Sequence, residues 1–95
     1  MAINTDSNIT ADGTTTSYAY QGGPGAAIVT GTFDGATIEL EFSLDGANYA
    51  PIGRESILFQ PNGFAIGDIP ACDVRWRVRN AGNDTNLTAS VEDKG

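Results

Sequence analysis

The stretch Gly31–Gly46, G-T-F-D-G-A-T-I-E-L-E-F-S-L-D-G, carries the clearest alternation in this 95-residue chain. Ile38, Leu40 and Phe42 fall on one face of an extended strand, and Thr37, Glu39, Glu41 and Ser43 fall on the other, because successive side chains of a strand point to opposite sides. Asp34-Gly35 precedes the run and Asp45-Gly46 follows it. Asp-Gly supplies the positive φ that tight hairpin turns demand, so the stretch reads as one strand with a turn at each end.

Towards the C-terminus, Ala47–Gly53 is short and holds Pro51, which suits a sheet edge, and Ser56–Gln60 adds a short strand. Pro61-Asn62-Gly63 reads as a turn, Phe64–Ile69 as a strand, and Pro70-Ala71-Cys72 as its close. Asp73–Asn80, D-V-R-W-R-V-R-N, is a second alternating strand, with Val74, Trp76 and Val78 inward and Arg75, Arg77 and Arg79 outward. Ala81–Asn86 turns the chain into a last strand, Leu87–Val91. Towards the N-terminus, Ala26–Phe33 reads as a central strand, and Q-G-G-P-G at 21–25 separates it from a strand over Thr14–Tyr20. Residues 1–13 are polar, with Ile3 and Ile9 as the large apolar anchors after Met1, and read as an N-terminal arm or a marginal edge strand. The expectation is an all-β fold of one domain over 14–95 behind that arm. It is a single antiparallel two-sheet β-sandwich of about seven to eight short strands, immunoglobulin-like or jelly-roll.

One pairing follows from charge. Glu39 and Glu41 point out of one alternating strand, and Arg75, Arg77 and Arg79 point out of the other. Opposite charges across neighbouring strands stabilise by roughly 0.2–1 kcal/mol per pair, so the two strands are expected side by side in one sheet.

Composition bounds the function classes. A chain of this length buries roughly 60–70% of its unfolded surface, enough for one thin core. The net charge is −7, from 12 acids and 5 bases, with no histidine. Such a balance repels phosphate backbones and anionic membranes, and it removes the usual proton carrier near neutral pH. No apolar run approaches the ~20 residues needed to cross a bilayer. The single Cys72 has no partner for an intrachain disulfide, and no leader-like segment opens the chain, so folding in a reducing cytoplasm is expected. The N-x-T triplets at Asn8, Asn83 and Asn86 are then coincidental.

Each chemistry-bearing cluster has a plainer explanation. Glu39 and Glu41 lie roughly 7 Å apart on a strand, within the range of glycosidase carboxylates, but an open strand facing arginines offers neither a cleft nor a raised pKa. Asp34, Asp45 and Asp84 sit beside Gly or Asn in turns and lack the spacing of a calcium loop. Arg75-Trp76-Arg77-Val78-Arg79 interleaves basic and aromatic residues, yet on a strand Trp76 faces away from the arginines, which fits a core anchor better than a nucleic-acid platform. Tyr18, Tyr20 and Tyr49 are candidates for a partner interface or a glycan platform, with Tyr18 and Tyr20 inward as the default. The serines and threonines lack an activating base, and Cys72 reads as a small buried residue at a strand start. No catalytic, cofactor-binding or metal residues are expected, and no enzymatic activity.

Residues 31–53, G-T-F-D-G-A-T-I-E-L-E-F-S-L-D-G-A-N-Y-A-P-I-G, and 62–78, N-G-F-A-I-G-D-I-P-A-C-D-V-R-W-R-V, together resemble small β-sandwich structural proteins of tailed bacteriophages, of podovirus and cyanophage type. The shared pattern is a G-x-F-x-G-A-x-I/V-x-L strand, an S-x-D-G turn, and a later I/L-P-A segment leading into a strand with an R-x-R or Y-R pair. Cys72 stands where such proteins usually place a glycine. The resemblance implies a virion structural role: a capsid decoration (cement) protein, or a tail, fibre or carbohydrate- and host-binding module. A decoration protein would be made in the host cytoplasm and sit on the capsid surface. Its partner would be the major capsid protein, held by exposed edges and by Ile3 and Ile9, and it would form a homotrimer or dimer at a symmetry axis.

Overall fold

The computed structural model describes residues 2–93, whose strands are β1 (Ala2–Ile9), β2 (Gly13–Thr14), β3 (Tyr18–Tyr20), β4 (Gly23–Thr32), β5 (Thr37–Ser43), β6 (Ala50–Pro51), β7 (Ile57–Leu58), β8 (Asn62–Ile69), β9 (Cys72–Arg79) and β10 (Asn86–Asp93), with a 3-10 turn at Arg54–Ser56. All pairings are antiparallel. Sheet A has the order β1-β10-β4-β8. In sheet B, β9 and β5 form the centre, β2 and β3 share the outer side of β9, and β6 and β7 share the outer side of β5.

Counting β2 with β3 and β6 with β7, each sheet has four strand positions, and the first half of the chain pairs with the second half in reverse order. β1 meets β10, β2 and β3 meet β9, β4 meets β8, and β5 meets β6 and β7. That is one long hairpin rolled into two sheets, a jelly roll, and it resolves the two topologies the sequence leaves open. The apex of the hairpin is the loop after β5 that contains Asp45-Gly46.

The two Asp-Gly turns therefore do different work. Asp34 and Gly35 have φ of 47° and 86°, and the Ala36 amide closes the turn on the Phe33 carbonyl at 2.9 Å. This is hairpin geometry, but β4 and β5 lie in different sheets, so the turn is a corner between layers rather than a hairpin. At the apex, Asp45 accepts hydrogen bonds from the Ala47 and Asn48 amides at 2.8 Å each and from the Asn48 side chain at 2.8 Å. Ser43 Oγ accepts from the Gly46 amide at 2.8 Å. Those donors hold the exposed Asp45 carboxyl well below the ordinary carboxylate range, the Asn48 amide first among them.

Of the two readings of the N-terminal segment, residues 2–9 take the edge strand, paired along β10; Met1 lies outside the described residues. Other expectations need correction. The strand expected over Thr14–Tyr20 is two short pieces, because Thr15 bonds back to Trp76: its amide donates to the Trp76 carbonyl at 2.9 Å and its Oγ1 accepts from the Trp76 amide at 3.0 Å. Gly23-Pro24-Gly25, expected to break the ladder, opens β4 instead, at a register shift between Gly23 and Gly25. The absence of a side chain at Gly25 has a reason: a Cβ there would come within 2.5 Å of the Tyr20 hydroxyl, which donates to the Gly23 carbonyl at 2.6 Å. Asn62 and Gly63, read as part of a turn, are already in β8.

The core lies between the sheets. Val29, Ile66, Leu87, Ala89 and Val91 come from sheet A, and Ile38, Leu40, Val74, Trp76 and Val78 from sheet B, all nearly inaccessible. Phe64 of β8 meets Trp76 of β9 edge-on across the layers, with centroids 6.2 Å apart and planes at 72°, a favoured aromatic geometry.

Candidate functional site

β5 and β9 are hydrogen-bonded neighbours, with Glu41 opposite Arg75, Glu39 opposite Arg77 and Thr37 opposite Arg79. Contacts follow the rungs only once. Arg75 Nε donates to Glu41 Oε1 at 3.0 Å, while Arg77 Nε reaches diagonally to Glu41 Oε2 at 2.9 Å. Arg79 also reaches diagonally, to Glu39 at 3.0 Å. Diagonal neighbours on one sheet face are roughly 7–8 Å apart, within reach of an arginine, and the slip lets two glutamates serve three arginines. Glu39 and Glu41 are 3% and 4% exposed, so these carboxylates are sealed under their partners. Tyr49, from the apex loop, carries the Arg75 guanidinium 3.7 Å from its ring centroid, a cation–π contact that closes this face further.

The tyrosines do not form a platform. Tyr18 pairs with Val74 and Tyr20 with Cys72, which places both on the inner face, while Tyr49 lies over the arginines on the outer face. Tyr20 is 1% exposed, so it cannot meet a partner. Tyr18 is half-buried. Burial first, then the Asp6 carboxylate, pushes its phenol well above the usual range, with Asn4 opposing and Asp93 and Tyr20 reinforcing. Its hydroxyl makes no hydrogen bond among the described residues; the Asn4 amide donates to Asp6 instead, at 3.3 Å. A crevice of about 230 Å³ lies beside it, lined in part by Asn4, Ala19 and Asp93. Asp93 is buried and accepts a hydrogen bond from the Gln21 amide. Cys72 is half-buried rather than buried, at the start of β9, and burial followed by the Asp73 and Asp93 charges raises its thiol pKa.

The two interface isoleucines part company. Ile9 packs against the core, whereas Ile3 is 65% exposed. Register places Ile3 on the outer face of sheet A in a row that runs Ile3, Glu92, Ala26, Ala65 across all four strands. The neighbouring row runs Thr5, Ser90, Ile28, Gly63. These eight positions hold one charge, Glu92, and include two exposed isoleucines, since Ile28 is 51% exposed. Thr5 Oγ1 and Ser90 Oγ are 3.0 Å apart. A shallow depression of about 290 Å³ lies between Ile3, Ala26, Ile28 and Ser90.

Ile28 is absent from the candidates drawn from sequence. In A-A-I-V-T-G-T-F all residues are small or apolar, so alternation does not show which side of β4 faces in. The available signal is the pair Thr30 and Thr32, which lie on the same side as Ile28.

Among the described residues, no cluster of three or more His, Cys, Asp or Glu side chains could hold a metal ion, and no helix is long and apolar enough to cross a membrane. No protein-family model, curated protein or solved structure matches the chain.

Proposed function

We propose that this chain is a non-enzymatic virion structural protein, a decoration (cement) protein that docks on the outer surface of a capsid and bridges neighbouring copies of the major capsid protein. The observation that carries the reading is the outer face of sheet A. In a chain of net charge −7, this face presents two full rows with a single carboxylate and two exposed isoleucines. Charge-poor surface with apolar anchors is what the core of a protein interface uses. The resemblance of residues 31–53 and 62–78 to phage β-sandwich proteins supports a virion partner, and the repeating capsid shell is the partner we propose.

Size sets the mode of binding. Four strands of about eight residues make a face of about 500 Å², below the ~800 Å² per partner of a standard interface. One face then holds weakly, and occupancy rises when linked copies engage several sites of a repeating shell. The carbohydrate-binding alternative loses the residues it was built on, since Tyr18, Tyr20 and Tyr49 do not share a surface.

The test is to assemble the shell with and without the protein and follow sedimentation and thermal melting. Protein on the shell and a raised melting temperature are expected, and Ile28→Glu should abolish both while leaving the domain folded. A shell that neither retains the protein nor changes its melting would overturn the proposal.

A further inference from the structure

The four sheet edges are not equivalent. In sheet B, one edge is broken between β2 and β3, and the other is broken between β6 and β7 and contains Pro51. In sheet A, β1 carries Asp6 within its regular register and then bulges before Ile9, with Asn8 at φ 56°. Breaks, proline, charge and bulges are the devices by which natural sheets discourage pairing with another chain.

β8 has fewest of them. Its segment Asn62–Ile66 pairs one-to-one with Val29–Gly25 of β4 and contains neither a charge nor a proline. Its other side has no strand partner among the described residues. The strand's single charge, Asp68, lies beyond the regular segment, within the register shift that ends at Ile69.

We infer that the β8 edge pairs with the β8 edge of a second copy of this chain, antiparallel about a two-fold axis near Phe64, forming a homodimer with a continuous sheet. A two-fold axis makes the contact self-complementary by construction. With the axis at Phe64, Ala65 of one copy lies opposite Gly63 of the other, and Asp68 lies opposite Gln60, so no carboxylate faces its own image. The outward side chains beside the axis, Gly63 and Ala65, are the smallest available and leave the two backbones free to approach. The outer rows then run on from one copy into the next, from Ile3 through Ala65 and across to Gly63, Ile28 and Thr5 of the second copy. The charge-poor face doubles to about 1,000 Å², which passes the ~800 Å² per partner of a standard interface. Dimerisation does not depend on what that enlarged face binds. The experiment contains no shell, so a failure to dimerise and a failure to decorate are separate results.

The purified full chain is sedimented between about 10 µM and about 1 mM, the range a small interface allows. A monomer–dimer equilibrium is expected. Ala65→Lys should weaken it at least about tenfold by placing two ammonium groups beside the axis, while Thr5→Lys on the β1 edge should leave it unchanged. Amide exchange of the unmodified protein at the two ends of the range keeps the test open should Ala65→Lys fold poorly. Protection that rises with concentration is expected at residues 62–66. A monomer throughout, an oligomer indifferent to Ala65→Lys, or concentration-dependent protection at residues 2–6 instead would overturn the inference.

Discussion

The outer faces of the two sheets reverse the usual link between polarity and accessibility. The outer face of sheet B bears six charged side chains on β5 and β9, Glu39, Glu41, Asp73, Arg75, Arg77 and Arg79, yet its two glutamates are 3% and 4% exposed. The outer face of sheet A bears one charge across two rows, yet its isoleucines are 65% and 51% exposed. On sheet B the arginines fold down onto the glutamates and Tyr49 covers Arg75, so the charges satisfy one another. On sheet A the side chains are too short to cover anything. A charged surface can thus be closed and a charge-poor one open, and the open one is where a partner gains most by excluding water.

The largest expected effect comes from breaking the closed face. Glu41 takes both Arg75 and Arg77 at 5% side-chain exposure. Glu41→Ala would leave two guanidiniums close together without a counter-charge and should cost about 2–3 kcal/mol in urea unfolding. A loss within ordinary surface scatter would mean that the face is not sealed by its ion pairs. Removing single arginines sharpens the same point. Arg77→Ala should cost about 1 kcal/mol, because Arg75 still caps Glu41, whereas Arg79→Ala takes the ion-pair partner from the buried Glu39 and should cost about 1–2 kcal/mol.

Tyr18 sits at the border between the sheets, and its folded-state pKa is raised, chiefly by burial. Stability from this group is therefore intact below the unfolded phenol pKa of about 10. It is lost as pH rises further, when the unfolded chain releases a proton that the folded chain retains. Tyr18→Phe should flatten the fall in melting temperature above that pH, and an unchanged profile would place the titrating group elsewhere, Tyr20 first. On the open face, Ile28→Thr should shift stability by no more than about 0.5 kcal/mol, since its side chain is half in solvent already. A larger loss in the isolated domain would mean that Ile28 packs within the molecule and is not open surface.

The smallest effect concerns the apex. Asp45 has a lowered folded-state pKa, so its contribution is present above the ordinary carboxylate range and is lost as pH falls through the lowered value. Amide exchange at Ala47 and Asn48 should quicken, relative to the intrinsic rate, in acid, and Asp45→Ala should reproduce that quickening at neutral pH. The sheet A rows lie away from this loop and should be unaffected, whereas Arg75, which touches the loop through Tyr49, should feel the change.

Much of this was legible in the chain. The alternations at Ile38–Phe42 and Val74–Val78 assign inner and outer faces because apolar and charged residues strictly alternate there. The opposite charges on those outer faces pick out β5 and β9 as neighbours, since only adjacent strands bring such side chains within reach. Where alternation lapses, the reading lapses too. On β4 the polar residues of the outer side, Thr30 and Thr32, stand only at its C-terminal end, and the stretch around Ile28 is uniformly apolar. Gly23–Gly25 looked like a breaker because the side chain it makes room for, Tyr20, is supplied by another strand. Asp34-Gly35 shows in the sequence as a turn but not as a corner between sheets, because local dihedral preference fixes how sharply the chain reverses and not which sheet receives it.

The sequence by itself determined the all-β class, the short strands and turns, the two alternating strands and their adjacency, because each rests on backbone preference or on contacts between adjacent strands. The tertiary structure alone decided between jelly-roll and immunoglobulin-like order, between arm and edge strand for residues 2–9, and the openness of the sheet A face. Those depend on which strands the rolled chain brings together from far apart in sequence, and on whether the side chains around a position are long enough to cover it.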